Sequence, residues 1–279
     1  MRPNGDVDFD CLRALVDWHV ESGTAAIVSV GTTGESATLS VKEHLEVISA
    51  TIEAAGERIP VLAGTGGNAT AEAKVLTREA AQAGARACLL VTPYYNRPPQ
   101  EGLFRHFAAV AEFCDIPLIL YNVPARTGCD LLPTTVARLL SYGNIVGIKE
   151  AKGNFERIDE LLALSDDFVV YTGDDATACE SMLRGVRGDI SVTANIAPAK
   201  MQQMCLAAIA GDAERAKQLD AELAGLHNKL FIEPNPIPVK WALARMGRSE
   251  HGIRLPMTPL AEEFKADVEQ AMIQAGVEL

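Results

Sequence analysis

Asn144-Ile145-Val146-Gly147-Ile148-Lys149-Glu150 is a short apolar run closed by an amine and a carboxylate. A brief β-branched stretch of this kind fits a strand buried on both faces, and such strands belong to parallel sheets covered by helices. Comparable runs stand at 25–30 (AAIVSV), 60–63 (PVLA), 87–92 (ACLLVT), 117–121 (PLILY), 168–172 (FVVYT) and 189–193 (DISVT). Their spacing of roughly 30 residues is that of repeating βα units. Helical patterns fill the intervals at 8–22, 41–55, 69–83, 101–114, 133–141, 154–164 and 175–184. Ser40 and Glu43 form a capping-box pair at the head of the second of these, and Asn68-Ala69-Thr70 gives the third a cap-like start.

The pattern predicts a (β/α)8 barrel, the α/β architecture known as the TIM barrel. The count of strands is about seven, where closure needs eight, and no apolar run precedes the first helix. The expectation is a barrel lacking its first strand, the strand being lost to a start assigned too far downstream, because a true gap would expose unpaired edges. Beyond residue 212 the strands stop. Segments 212–230, 236–247 and 259–276 read as helices, with the proline-rich stretch Glu233-Pro234-Asn235-Pro236-Ile237-Pro238 between the first two. The expected division is a catalytic barrel over 1–212 and a helical C-terminal extension over 213–279.

Composition narrows the function. With 279 residues, 48% of them hydrophobic, the chain can bury a large core. A net charge of -12 repels polyanions, so nucleic acid is not an expected partner and a small molecule is. The six cysteines (Cys11, Cys88, Cys114, Cys129, Cys179 and Cys205) contain no CxxC pair, which predicts free thiols, no zinc or other metal site, and a reducing cytoplasm. The polar N-terminus has no signal-like apolar region, and no run reaches ~18 apolar residues, so neither export nor membrane insertion is expected.

Barrel chemistry gathers at the C-terminal ends of strands. Lys149 stands at such an end. Lysines usually lie at the surface, but here the apolar run favours burial, which disfavours the ammonium form and leaves a nucleophilic amine able to condense with a ketone. Tyr121 ends the preceding strand and can shuttle protons. Gly31-Thr32-Thr33-Gly34-Glu35-Ser36 follows the strand at 25–30 and can turn backbone N–H groups toward a carboxylate. Gly64-Thr65-Gly66-Gly67-Asn68 follows the next strand in the same way, although glycine is also the ordinary turn residue. Arg126, in the loop after Tyr121, can clamp a second carboxylate. Tyr94 and Tyr95 form an aromatic pair on a proline-flanked loop, a composition that suits an interface. Imine formation and its tautomerisation to an enamine need one amine and one proton shuttle, so no cofactor is called for.

Seven motifs, GTTGESATL (31–39), VTPYYNRP (91–98), YNVPARTG (121–128), GIKEA (147–151), TGDDA (172–176), SVTAN (191–195) and EPNPIPVKWA (233–242), stand in an order that resembles the dihydrodipicolinate synthase family. That family belongs to the pyruvate-dependent N-acetylneuraminate lyase superfamily. The resemblance implies that Lys149 forms a Schiff base with pyruvate, with Tyr121 as general acid and base. It also implies that Thr33 relays protons between Tyr121 and Tyr95, the latter from a neighbouring subunit. Thr32 and Thr33 would hold the pyruvate carboxylate, the carbonyl of Ile190 would lie beside the imine, and Arg126 would bind the carboxylate of L-aspartate 4-semialdehyde. The implied product is 4-hydroxy-tetrahydrodipicolinate, on the route to diaminopimelate and lysine.

The family's lysine-inhibition site falls on Ser36, Ala37, His44, Asn68, Glu72 and Tyr94, while Val41 stands where inhibited members often carry histidine or lysine. The implied assembly is a homo-oligomer, a dimer of dimers. Two other readings are open. A sister pyruvate-dependent aldolase would keep Lys149 and Tyr121 but would not need Arg126. A non-catalytic, truncated barrel that binds lysine would need none of the catalytic set.

Overall fold

The apolar runs become six strands in the computed structural model, which describes every residue from Met1 to Leu279. They are β1 (Ile27–Ser29), β2 (Val61–Gly64), β3 (Ala87–Val91), β4 (Leu118–Asn122), β5 (Ile145–Glu150) and β6 (Val169–Thr172). Every neighbouring pair is parallel, and the sheet runs in sequence order from β1 to β6. An order without reversal means that each crossover winds the same way. A doubly wound sheet would reverse at a switch point, whereas a barrel wall does not. The fold is α/β, of the TIM-barrel type.

Helices α1 (Phe9–Glu21), α2 (Val41–Ala55), α3 (Thr70–Ala83) and α4 (Gln100–Ala111) are followed by the single turn α5 (Pro124–Thr127), then α6 (Pro133–Leu139), α7 (Phe155–Leu162) and α8 (Ala178–Leu183). After these come α9 (Pro198–Ile209), α10 (Ala213–Lys229), α11 (Ile237–Arg245) and α12 (Glu262–Gln274). The capping box of α2 is formed: Ser40 Oγ accepts from Glu43 N, and Ser40 N donates to Glu43 Oε2 at 2.9 Å. A cap of this kind is worth about 1 kcal/mol. No helix is long and apolar enough to cross a membrane.

The segment 189–193 departs from the strand expected there. Only Asp189 pairs, through one bridge to Thr172. The amides that would extend the ladder are taken by a buried carboxylate: Val192 N and Thr193 N both donate to Asp175 Oδ2 at 3.0 Å, and Ser191 Oγ donates to the other oxygen. The chain then turns through Thr193–Asn195 into α9, a helix the sequence pattern had not marked. β1 lies at one edge of the sheet, and the Asp189 bridge adjoins the other.

Side chains alternate across the sheet with a period of 2. One face presents Ala87, Leu89, Ile119 and Tyr121 to the barrel interior, and the other packs Cys88, Leu90, Leu118, Leu120, Ile148 and Val170 against the helices. A register irregularity between Leu118 and Ile119 leaves Val146 as an extra residue in β5 and sets Tyr121 opposite Lys149 and Asn122 opposite Glu150. A slip of one residue would exchange the faces, so this bulge decides that the amine points inward. The main core is continuous from Val30 to Ala275 and includes Leu219, Leu223 and Leu226 of α10, Val239 of α11 and Met272 of α12. The C-terminal helices therefore share the barrel's core.

Candidate active site

Lys149 is 9% exposed. Its Nζ lies 4.4 Å from the centroid of the Tyr121 ring, directly across the β4–β5 register. Amine and phenol share a cavity of about 1140 Å³ with Thr32, Thr33, Arg126, Ile190 and Asn235. The pairing is what the alternation of two adjacent strand ends delivers: both residues sit one position before the strand terminus and face the interior.

The 31–36 loop is held under backbone strain. Val30, a β-branched residue, has φ 51°, and Glu35 has φ 55°. Such conformations persist only where the surroundings over-determine them, and they gather at functional sites. Val30 is packed against the bare Gly34 and Gly64, and Glu35 is held by the C-terminal helical segment. Buried Glu35 pairs with Lys240 Nζ at 2.5 Å and accepts from Arg254 N at 2.9 Å. Asn235 Nδ2 donates to Thr33 Oγ1 at 3.0 Å, and the carbonyl of Asn235 accepts from Arg126 Nη2 at 3.3 Å.

The hydroxyl of Thr33 is therefore engaged by Asn235, while the neighbouring Thr32 lines the same cavity. The carbonyl of Ile190 accepts no hydrogen bond within the chain, and the N–H of Ile190 donates to Thr172 O at 3.0 Å. A carboxylate, a ketone carbon and a transferable proton can all be served in this space, which the 31–36 loop, the Lys149 amine, the Tyr121 phenol and the exposed Arg126 all line.

A profile of the Dihydrodipicolinate synthetase family matches residues 1–275. The 4-hydroxy-tetrahydrodipicolinate synthase of Alcanivorax borkumensis is 61% identical over 278 residues, covering 99% of this chain and 95% of that relative. The enzyme of the same name from Methylococcus capsulatus is 61% identical, covering 99% and 96%. Among solved structures, the chloride-inhibited dihydrodipicolinate synthase of Acinetobacter baumannii complexed with pyruvate superposes with a TM-score of 0.98 at 54% identity, covering 100% of this chain and 96% of that one. The Cyanidioschyzon merolae enzyme with lysine bound gives 0.96 at 36% identity, covering 100% and 95%. The chain belongs to the dihydrodipicolinate synthetase family.

Set against the expectations carried by the family resemblance, the structure collects Lys149, Tyr121, Thr32, Thr33, Arg126 and Ile190 around one cavity. Tyr95 is not brought there. It is 90% exposed and has φ 72°, so its phenol projects away from its own chain. The residues matched to lysine inhibition in this family divide. Ser36 and His44 line the cavity wall. Asn68, Glu72 and Tyr94 lie outside it, on and around the start of α3 and on the loop after β3, with Ala37 exposed in the turn Ser36–Thr38. His44 Nε2 is 2.8 Å from Gly64 O, and burial holds its imidazole below the usual histidine range. The charge of Glu72 is felt at both His44 and Tyr94.

Sequence reasoning quoted the 233–242 motif without assigning Asn235 a role. The only available signal was an asparagine between two prolines, because its partner Thr33 lies 202 residues away.

Proposed function

We propose that this chain condenses pyruvate with L-aspartate 4-semialdehyde through an imine on Lys149, yielding 4-hydroxy-tetrahydrodipicolinate. The observation that carries the reading is the Lys149 amine 4.4 Å from the Tyr121 ring inside the cavity that also holds Thr32, Thr33 and Arg126. The Lys149 amine attacks the keto carbon of pyruvate, and the carbinolamine loses water as Tyr121 moves the proton. Loss of a methyl proton gives the enamine, whose carbon attacks the aldehyde. The substrate's own amine then displaces Lys149 and closes the ring.

Thr33, held by Asn235, receives the pyruvate carboxylate together with the loop amides. Thr32, the hydroxyl left unengaged, is the better candidate for the proton relay first assigned to Thr33. Arg126 takes the semialdehyde carboxylate, and this favours the present reading over a sugar-aldehyde aldolase.

The same reading takes Tyr95 as a contribution to a neighbouring copy's site, since a phenol this exposed is available to a second subunit, in a dimer or a dimer of dimers. It takes Ser36, Ala37, His44, Asn68, Glu72 and Tyr94 as a lysine-inhibition site, supported by the lysine-bound relative. It takes the sheet as a barrel with one strand position open between β1 and Asp189, and residues 213–279 as a helical extension that braces the Thr32–Thr33 loop. Six unpaired cysteines fit work in the cytoplasm.

Borohydride reduction in the presence of pyruvate tests the chemistry. A reduced pyruvate adduct is expected on the peptide containing Lys149 and is absent from Lys149→Ala. Turnover with L-aspartate 4-semialdehyde and none with sugar aldehydes fixes the acceptor. A wild-type chain that forms no adduct would end this reading.

A further inference from the structure

On the opposite face of β4 and β5 from Tyr121 and Lys149 lies a buried polar cluster that the chemistry above does not use. Asn122 is 0%, Glu150 1% and Arg157 7% exposed. Asn122 Nδ2 donates to Glu150 Oε2 at 2.9 Å and to Asp130 Oδ1 at 2.8 Å, and Asn122 Oδ1 accepts from Leu131 N at 2.9 Å. Arg157, from α7, donates to both oxygens of Asp130 at 2.8 and 3.0 Å, to Leu131 O at 3.3 Å and to Glu150 at 3.5 Å. Lys152 adds its backbone N–H to Glu150 Oε1 at 3.0 Å and its Nζ to Asp130 at 3.2 Å. Arg157 also reaches Glu160 of its own helix at 3.7 Å, so three carboxylates meet two cations, and the buried Glu150 is paired with the buried Arg157.

The connectivity has a consequence for the site. The loop that carries Arg126 leaves the sheet at Asn122 and returns at Asp130 and Leu131, where both of its closing residues bond back to the Asn122 side chain. One amide therefore pins both ends of the loop, and the two-pronged Arg157–Asp130 pair sets the angle at which it stands. Arg126 itself is exposed and has a single long hydrogen bond, to Asn235 O at 3.3 Å; the loop beneath it is held by that frame together with Thr92 Oγ1, 3.2 Å from Thr127 Oγ1, and Arg97 Nε, which donates to Gly128 O at 2.9 Å.

We propose that Asn122, Asp130, Glu150 and Arg157 are positioning residues that hold Arg126 over the cavity mouth. The inference rests on the activity proposed above for the role of Arg126, and on the hydrogen bonds alone for the anchoring of the loop.

Asp130→Asn tests it in the full chain, since it keeps an acceptor for Asn122 but loses the second oxygen that Arg157 grips. Amide exchange over 123–131 should quicken. The KM for L-aspartate 4-semialdehyde should rise about tenfold, while the rate of pyruvate trapping at Lys149 stays within about twofold of wild type. Arg157→Lys, which cannot grip both oxygens, should reproduce the split. Asp130→Glu, which restores two oxygens, should recover part of it. Unchanged exchange over 123–131, or an equal loss for both substrates that follows the fall in Tm, overturns the proposal and leaves the cluster a purely structural one. Should the wild-type chain trap no pyruvate, the proposed activity falls, and exchange alone decides the anchoring.

Discussion

Gly173 and Lys149 are fitted so closely that a Cβ on the glycine would fall inside the van der Waals envelope of the lysine Cε, and within 3.1 Å of Lys149 Cγ and Ala151 Cβ. The end of β6 is thus kept bare so that the lysine stem can lie across it. Gly173→Ala should displace the amine from Tyr121 without disturbing the helices. A misplacement of this order costs about a hundredfold, so the rate of borohydride trapping with pyruvate should fall by that much while circular dichroism is retained. Trapping at the wild-type rate would show that the stem has another way to lie.

Asn235 reaches the site in two ways that substitution separates. Its side chain holds the Thr33 hydroxyl at 3.0 Å, whereas its contact with Arg126 is through the backbone carbonyl, which any residue supplies. Asn235→Ala should therefore weaken pyruvate more than the semialdehyde. One hydrogen bond contributes about 1 kcal/mol, which predicts a rise of roughly fivefold in the KM for pyruvate, measured by steady-state kinetics with each substrate varied in turn. A larger change for the semialdehyde would contradict the assignment of Thr33 to pyruvate.

Arg126→Ala removes the guanidinium at the mouth and leaves Lys149 and Tyr121 untouched. Trapping of pyruvate should persist. Turnover should drop by roughly tenfold to a hundredfold, the span of a lost charge-assisted hydrogen bond. Turnover that survives would hand the semialdehyde carboxylate to some other group.

Local signals carried most of the fold. The limits of α2 at Val41 and Ala55 follow from the capping box at Ser40 and from Gly56 at the other end, and β3 to β6 end within a residue or two of their apolar runs. Lys149 and Tyr121 were legible because each closes such a run on the inward phase. What the sequence hid is long-range. Ser191, Val192 and Thr193 look like strand until Asp175, 16 to 18 residues earlier, takes their side chain and amides. The engagement of Thr33 by Asn235 spans 202 residues and leaves no periodic trace. The exposure of Tyr95 depends on a left-handed backbone that no local propensity demands of tyrosine.

His106, on α4, gives stability a pH dependence that can be isolated. The residue is 5% exposed; Nδ1 is 2.9 Å from Thr70 Oγ1, and Nε2 is buried without a partner. Burial pushes its pKa from 6.5 down to about 4. The unfolded chain therefore binds a proton between these values that the folded chain refuses, so stability is full above the unfolded pKa and is lost as pH falls toward the folded one. His19, also lowered to about 4 by burial and then by Arg248, acts in the same direction. Glu150 opposes them: burial raises its carboxyl, which takes a proton more readily when folded. Comparing wild type with His106→Asn, which keeps a polar atom for Thr70, cancels the other groups. Between pH 7 and pH 5 the wild type should lose about 2 kcal/mol more than the variant, read from urea unfolding at each pH. Equal losses would mean that His106 accepts its proton as easily in the folded chain as in the unfolded one.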